Sequence, residues 1–115
     1  MSEINERSSL KVSDEIILSE VAKTTLQTAG VAGFSSVLPD VISKNFVKRD
    51  TVNRSIKLTK TDEGYVLYLY INVHYNMNIP SIVWDLQKNI KNHLRNKFGI
   101  KVKSVNVHVQ GVKLP

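Results

Sequence analysis

Three histidines, one tryptophan and a short run of tyrosines are the residues of this chain with the most chemistry to offer. Imidazole can bind a metal or move a proton near neutral pH. His74 and His108 fall on the outward phase of two strand-like stretches, so neighbouring strands would bring them together. A zinc site needs at least one more ligand, and no Asp, Glu or Cys is patterned beside either histidine. His93 falls on the apolar face of a helix-like run, where a satisfied, buried histidine is expected. No nucleophile–base–acid spacing is visible, and the carboxylates are scattered rather than paired for hydrolysis. The chain has no cysteine, which excludes disulfides, thiolate metal sites and cysteine catalysis. Gly30-Val-Ala-Gly-Phe34 lacks the glycine density and the preceding strand of a phosphate-cradling loop, and reads as a closely packed turn. The expectation is a protein that is not an enzyme, with no catalytic residue, metal or cofactor.

What remains is surface chemistry. Trp84 lies opposite an apolar helical stripe, and Lys88, Lys91 and Arg95 share its side at i+4, i+7 and i+11. An aromatic anchor among cations is a common protein-interaction hot spot. Trp84, Lys88, Lys91 and Arg95 are therefore the first candidate interaction surface, to be weighed against an ordinary solvated face. Tyr68, Tyr70, His74 and His108 form a second candidate surface, to be weighed against cover by a helix or loop.

These residues are carried by a strand–helix–strand unit from Gly64 to Gly111. Tyr65, Leu67, Leu69, Ile71, Val73 and Tyr75 alternate with Val66, Tyr68, Tyr70, Asn72 and His74, so the first set should face the core. Pro80 fits a first helical turn. Asparagine chemistry favours Asn78 as the cap, while the residue before proline favours Ile79, and both stay open. Ile79, Ile82, Val83, Leu86, Ile90, Leu94 and Phe98 make the apolar stripe, and Gly99 should end the helix. Val105, Val107 and Val109 form one face of a last strand that ends at Gly111. Upstream, Ser13 caps a helix with Asp14 and Glu15 in its first turn. Ile17, Leu18, Val21, Ala22, Leu26 and Ala29 line it, and Gly30 should stop it. A short second helix is expected near Pro39, then a charged connection from Lys48 to Arg54. Ser55 to Lys60 reads as a hairpin partner for the long strand through Asp62-Glu63-Gly64.

The 115 residues suit one domain, and a hydrophobic share of 42% can fill a core. Residues 1–10 read as a polar, frayed arm and 11–115 as a single domain. The first twelve residues are no signal peptide. The longest apolar stretch is far short of the ~20 residues of a spanning helix, so a cytoplasmic location without a direct membrane span is expected. Net charge is +6. Beyond Val66 there are seven cations and one acid, Asp85, while the first part balances at nine each. Such a basic half attracts nucleic acid, anionic lipid and acidic proteins alike.

Several of these segments resemble one family. Ser13-Asp14-Glu15-Ile16, Gly30-Val-Ala-Gly-Phe34, the long strand ending in His74-Tyr75, the Asn78-Ile79 helix start and Ser104-Val-Asn-Val-His-Val-Gln-Gly-Val112 resemble, in order and spacing, the bacterial alkaline shock protein family, or cell-envelope stress response family. The likeness spans about residues 10 to 113. Asn76 departs from the family's usual glycine, but asparagine also tolerates positive φ. The resemblance implies a small cytoplasmic, non-enzymatic scaffold or interaction protein of envelope stress response and homeostasis. Relatives are held at the membrane by a partner or self-assemble, and some are encoded near fatty-acid metabolic genes. The expected partner is thus another protein, membrane-anchored or a second copy, and a membrane-peripheral position through it follows. The fold expected is α+β: helix, short helix, strand, strand, helix, strand, with helices on one face of a three-stranded sheet of undetermined order. The alternative is a KH-like nucleic-acid-binding module, which the basic half favours and the missing Gly-x-x-Gly loop disfavours, so no specific nucleic-acid partner is expected. A weaker third reading is a regulatory subunit that binds an enzyme.

Overall fold

In the computed structural model of the protein, residues 13–35 and 55–115 are described. The short helix expected near Pro39, the connection from Lys48 to Arg54 and the arm 1–10 lie outside them.

Ser13 starts helix α1 (Asp14–Gln27): its side chain accepts from the Ile16 N–H, and Asp14 and Glu15 meet the positive end of the helix dipole. Ile17 and Val21 are fully buried, as expected, whereas Leu26 is 54% exposed. Thr25 takes a core position instead. Its hydroxyl is satisfied by donating to the Val21 carbonyl at 2.7 Å, which is what allows a polar residue there. The helix stops at Gln27, before Gly30. Thr28 caps it in an extended conformation, its N–H donating to the Thr25 carbonyl and its hydroxyl to that of Thr24.

The sheet has four strands, where the sequence pointed to three: β1 (Val31–Phe34), β2 (Ile56–Thr61), β3 (Gly64–His74) and β4 (Val102–Lys113). The additional one is β1, a segment that reads as a turn. Its reason lies in β3. The hairpin partner β2 covers only Gly64 to Leu69, which would leave backbone donors and acceptors of the upper half of β3 unpaired on that edge. β1 takes that half, pairing Val31 with Val73 and Phe34 with Ile71, with a bulge between Val31 and Gly33. Both short strands run antiparallel to β3 along the same edge and meet at Tyr70. The Ser35 N–H donates to the Tyr70 carbonyl at 3.0 Å, and the Tyr70 N–H donates to the Ser55 carbonyl at 2.9 Å. The buried Ser55 hydroxyl donates to the Ser35 carbonyl at 3.1 Å. Together they make one composite strand, which the chain leaves at Ser35 and rejoins at Ser55.

Helix α2 (Ile79–Phe98) is capped by Asn78, whose side-chain oxygen accepts from the Ser81 N–H at 3.0 Å. Gly99, at φ 68°, ends it, and the Gly99 and Ile100 N–H groups return to the Arg95 and Leu94 carbonyls. Ile82, Leu86, Ile90 and Leu94 are buried, while Ile79, at the mouth of the stripe, is 38% exposed. The crossover sets β4 parallel to β3 on the edge away from β1 and β2, which fixes the open strand order. Leu67, Leu69 and Ile71 pair with Val105, Val107 and Val109, so the expected apolar rows meet in register. Val105 is buried; Val107 and Val109 are half-buried against the same core. β4 runs past Gly111 to Lys113 because Val73 and His74 still offer it partners. Tyr75, counted in the core row, lies beyond the end of β3 and is 57% exposed. Asn76 adopts φ 62° in the turn, as its side chain permits. The class is α+β, with both helices on the leucine and valine face of a mixed sheet.

Candidate functional site

The outer face of α2 follows from its inner one. Once Ile82, Leu86, Ile90 and Leu94 fix the buried stripe, Trp84 must point away, and it is 59% exposed. The Lys88 ammonium lies 4.6 Å from the centre of its ring, a cation–π contact that occupies one π face. Lys91 and Arg95 are exposed further along. Arg95 donates to the Asn92 side-chain oxygen at 3.0 Å. All four residues of the first candidate surface therefore share one helix face.

That face ends in a cleft where the chain turns at Gly99 and enters β4. Lys91, Arg95, Gly99, Ile100, Lys101 and Val102 line it. Lys101 is the member sequence reasoning missed; its signal was its place just beyond the helix stop. Two neighbouring cations are neutralised within the fold. Lys97 Nζ lies 3.1 Å from Glu20 Oε2, and Lys103 Nζ lies 2.7 Å from Glu63 Oε1. Among the described residues no carboxylate pairs with Lys88, Lys91, Arg95 or Lys101.

The second candidate surface divides. On the sheet face away from the helices, Tyr70 stacks on His108 with centroids 4.8 Å apart and planes at 13°, and Tyr68 lies 6.4 Å from the same ring. His74 does not join them. The β3–β4 register pairs His108 with Tyr70 and His74 with Lys113, so the two histidines are four strand positions apart and cannot share a ligand. Among the described residues no group of three or more metal-capable side chains forms.

His93 sits at the margin of the α2 stripe rather than inside it, with its side chain 37% exposed. Its Nε2 lies 2.8 Å from Glu20 Oε1. A carboxylate oxygen only accepts, so Nε2 carries the proton. Glu20 thus receives His93 and Lys97 from α2, and these contacts, the His93 hydrogen bond above all, hold its carboxyl below the ordinary range. The arrangement ties α1 to α2.

Among the described residues no helix is long and apolar enough to cross a membrane. No solved structure gives a significant match. Among curated proteins, the chain is 23% identical to the uncharacterized protein YloU of Bacillus subtilis over 107 residues, 91% of this chain and 88% of the relative. It is 25% identical to the uncharacterized protein YqhY of the same organism over 60 residues, 52% of this chain and 44% of the relative. An uncharacterized protein of Streptococcus pyogenes is 23% identical over 90 residues, covering 77% of this chain and 69% of its own length. The profile of the alkaline shock protein 23 family, described by a cell envelope-related function, matches residues 2–114, and the chain belongs to that family.

Proposed function

We propose that this protein is a non-catalytic scaffold or interaction protein of the cell envelope, working from the cytoplasm, and that it holds a partner protein on the outer face of α2. The single observation behind this reading is Trp84, a large aromatic kept in water with three cations on its own helix face. Burying it against a partner would release its hydration shell, a gain of about 2 kcal/mol. The absence of a nucleophile–base pattern in the sequence supports the non-catalytic part. A link to lipid metabolism rests on the family resemblance alone.

A double change, Trp84→Ala with Lys91→Glu, tests the surface. Both positions are exposed, so circular dichroism and melting should match the wild type. Recovery of cross-linked partner from separated membrane and soluble fractions should fall at least tenfold. Unchanged recovery and oligomeric state would return this face to plain solvated surface.

The stacked Tyr68, Tyr70 and His108 rings favour one second reading, a nucleic-acid platform on the sheet face away from the helices. It is the weaker one, because the basic cleft lies on the other side of the fold, along α2.

A further inference from the structure

We infer that the α2 face and the cleft at its C-terminal end form one two-point site for an acidic protein segment that also carries an apolar side chain. This rests on the reading of α2 as a partner surface and deepens it by naming the partner's chemistry.

The two points differ in kind. At the first, Trp84 offers a hydrophobic ring with Lys88 over one face. At the second, Lys91, Arg95 and Lys101 surround a cleft whose wall is completed by Ile100 and Val102. Trp84 and Arg95 are eleven residues apart on one helix, so the points are roughly 16 Å apart at ~1.5 Å per residue. A short peptide can span that distance as a helix or strand.

Charge selects the occupant. Lys97 and Lys103 already have carboxylates, Glu20 and Glu63. Lys88, Lys91, Arg95 and Lys101 have none among the described residues, so a carboxylate supplied by a partner meets donors that no described acid competes for. A second copy of this chain presents the same unneutralised cations, and like charges oppose that pairing. A single-stranded nucleic acid held by more than its phosphate charge would need free aromatic faces beside the cations to stack its bases. Here the cleft adds to its cations only the aliphatic Ile100 and Val102, and Lys88 occupies one face of Trp84. Aliphatic walls between cations suit instead the mixed side chains of a peptide such as alternating glutamate and leucine.

The chain contains one tryptophan, so its own fluorescence reports occupancy at the first point. The test titrates the full-length protein with a synthetic glutamate–leucine dodecapeptide. Parallel titrations use a lysine–leucine peptide, vesicles containing phosphatidylglycerol, and single-stranded oligothymidylate. The expected result is a blue shift of Trp84 emission with the acidic peptide alone, lost as salt is raised. Arg95→Glu with Lys101→Glu should weaken that affinity at least tenfold with an unchanged dichroism spectrum. A second variant, Arg95→Gln with Lys101→Gln, guards against misfolding and should weaken it less. An acidic peptide that does not bind, or one whose affinity survives charge reversal, overturns the inference. So does tighter binding of the vesicles or the oligonucleotide. If charge reversal is silent while Trp84→Ala still abolishes partner recovery, the partner surface stands and only its acidic specificity falls. If both variants are silent, the surface itself falls.

Discussion

Glu20 shows how a single side chain can tie two helices and make stability depend on pH. Its carboxylate receives His93 and Lys97, and its pKa is held below the ordinary 4.5. The folded chain therefore resists a proton that the unfolded chain accepts. This contribution is complete above the ordinary carboxylate value and fades as pH falls through the lower folded one. Glu20→Gln should melt lower than wild type above the ordinary carboxylate range, and the gap should narrow in matched thermal scans as pH falls below that range. A gap that stays constant would mean that the carboxylate's charge contributes nothing. Leu86 marks the other extreme, a fully buried side chain in the α2 stripe. Leu86→Ala should cost about 2–5 kcal/mol in chemical denaturation, because the core cannot collapse fully around the lost atoms.

At the scale of elements, capping and periodicity carried the sequence reading well for α2 and β3. Ile82, Leu86, Ile90 and Leu94 are buried as their spacing requires, and Gly99 ends the helix in the left-handed conformation. The undecided cap resolves to Asn78, since its side chain can reach the Ser81 N–H even while Pro80 restrains the residue between them. Asn78→Ala should cost about 1 kcal/mol by denaturant unfolding, close to the usual loss of a cap. β1 was illegible for a physical reason. Four residues flanked and interrupted by glycine have no periodicity of their own, and only the unpaired upper edge of β3 calls for a strand there. The candidate site was half legible. Helical spacing placed Trp84, Lys88, Lys91 and Arg95 on one face, because i+4 and i+7 relations are local. Lys101 and the distance between His74 and His108 depend on how β4 returns, which is a long-range fact.

At the scale of the whole molecule, four cations without a carboxylate partner among the described residues, Lys88, Lys91, Arg95 and Lys101, run along one flank from the outer face of α2 to the start of β4. Such a flank will retain nucleic acid at low salt through charge alone. In filter binding at physiological salt, no sub-micromolar affinity and no preference among sequences is expected; either result would favour the KH-like alternative. The opposite edge of the sheet has a different consequence. The Ser35 N–H on the Tyr70 carbonyl, the Tyr70 N–H on the Ser55 carbonyl and the Ser55 hydroxyl on the Ser35 carbonyl fasten the two short strands end to end along β3. In joinery terms the Ser55 hydroxyl is a peg across a splice: Ser55→Ala, which removes it, should lower stability by about 1 kcal/mol in denaturant unfolding.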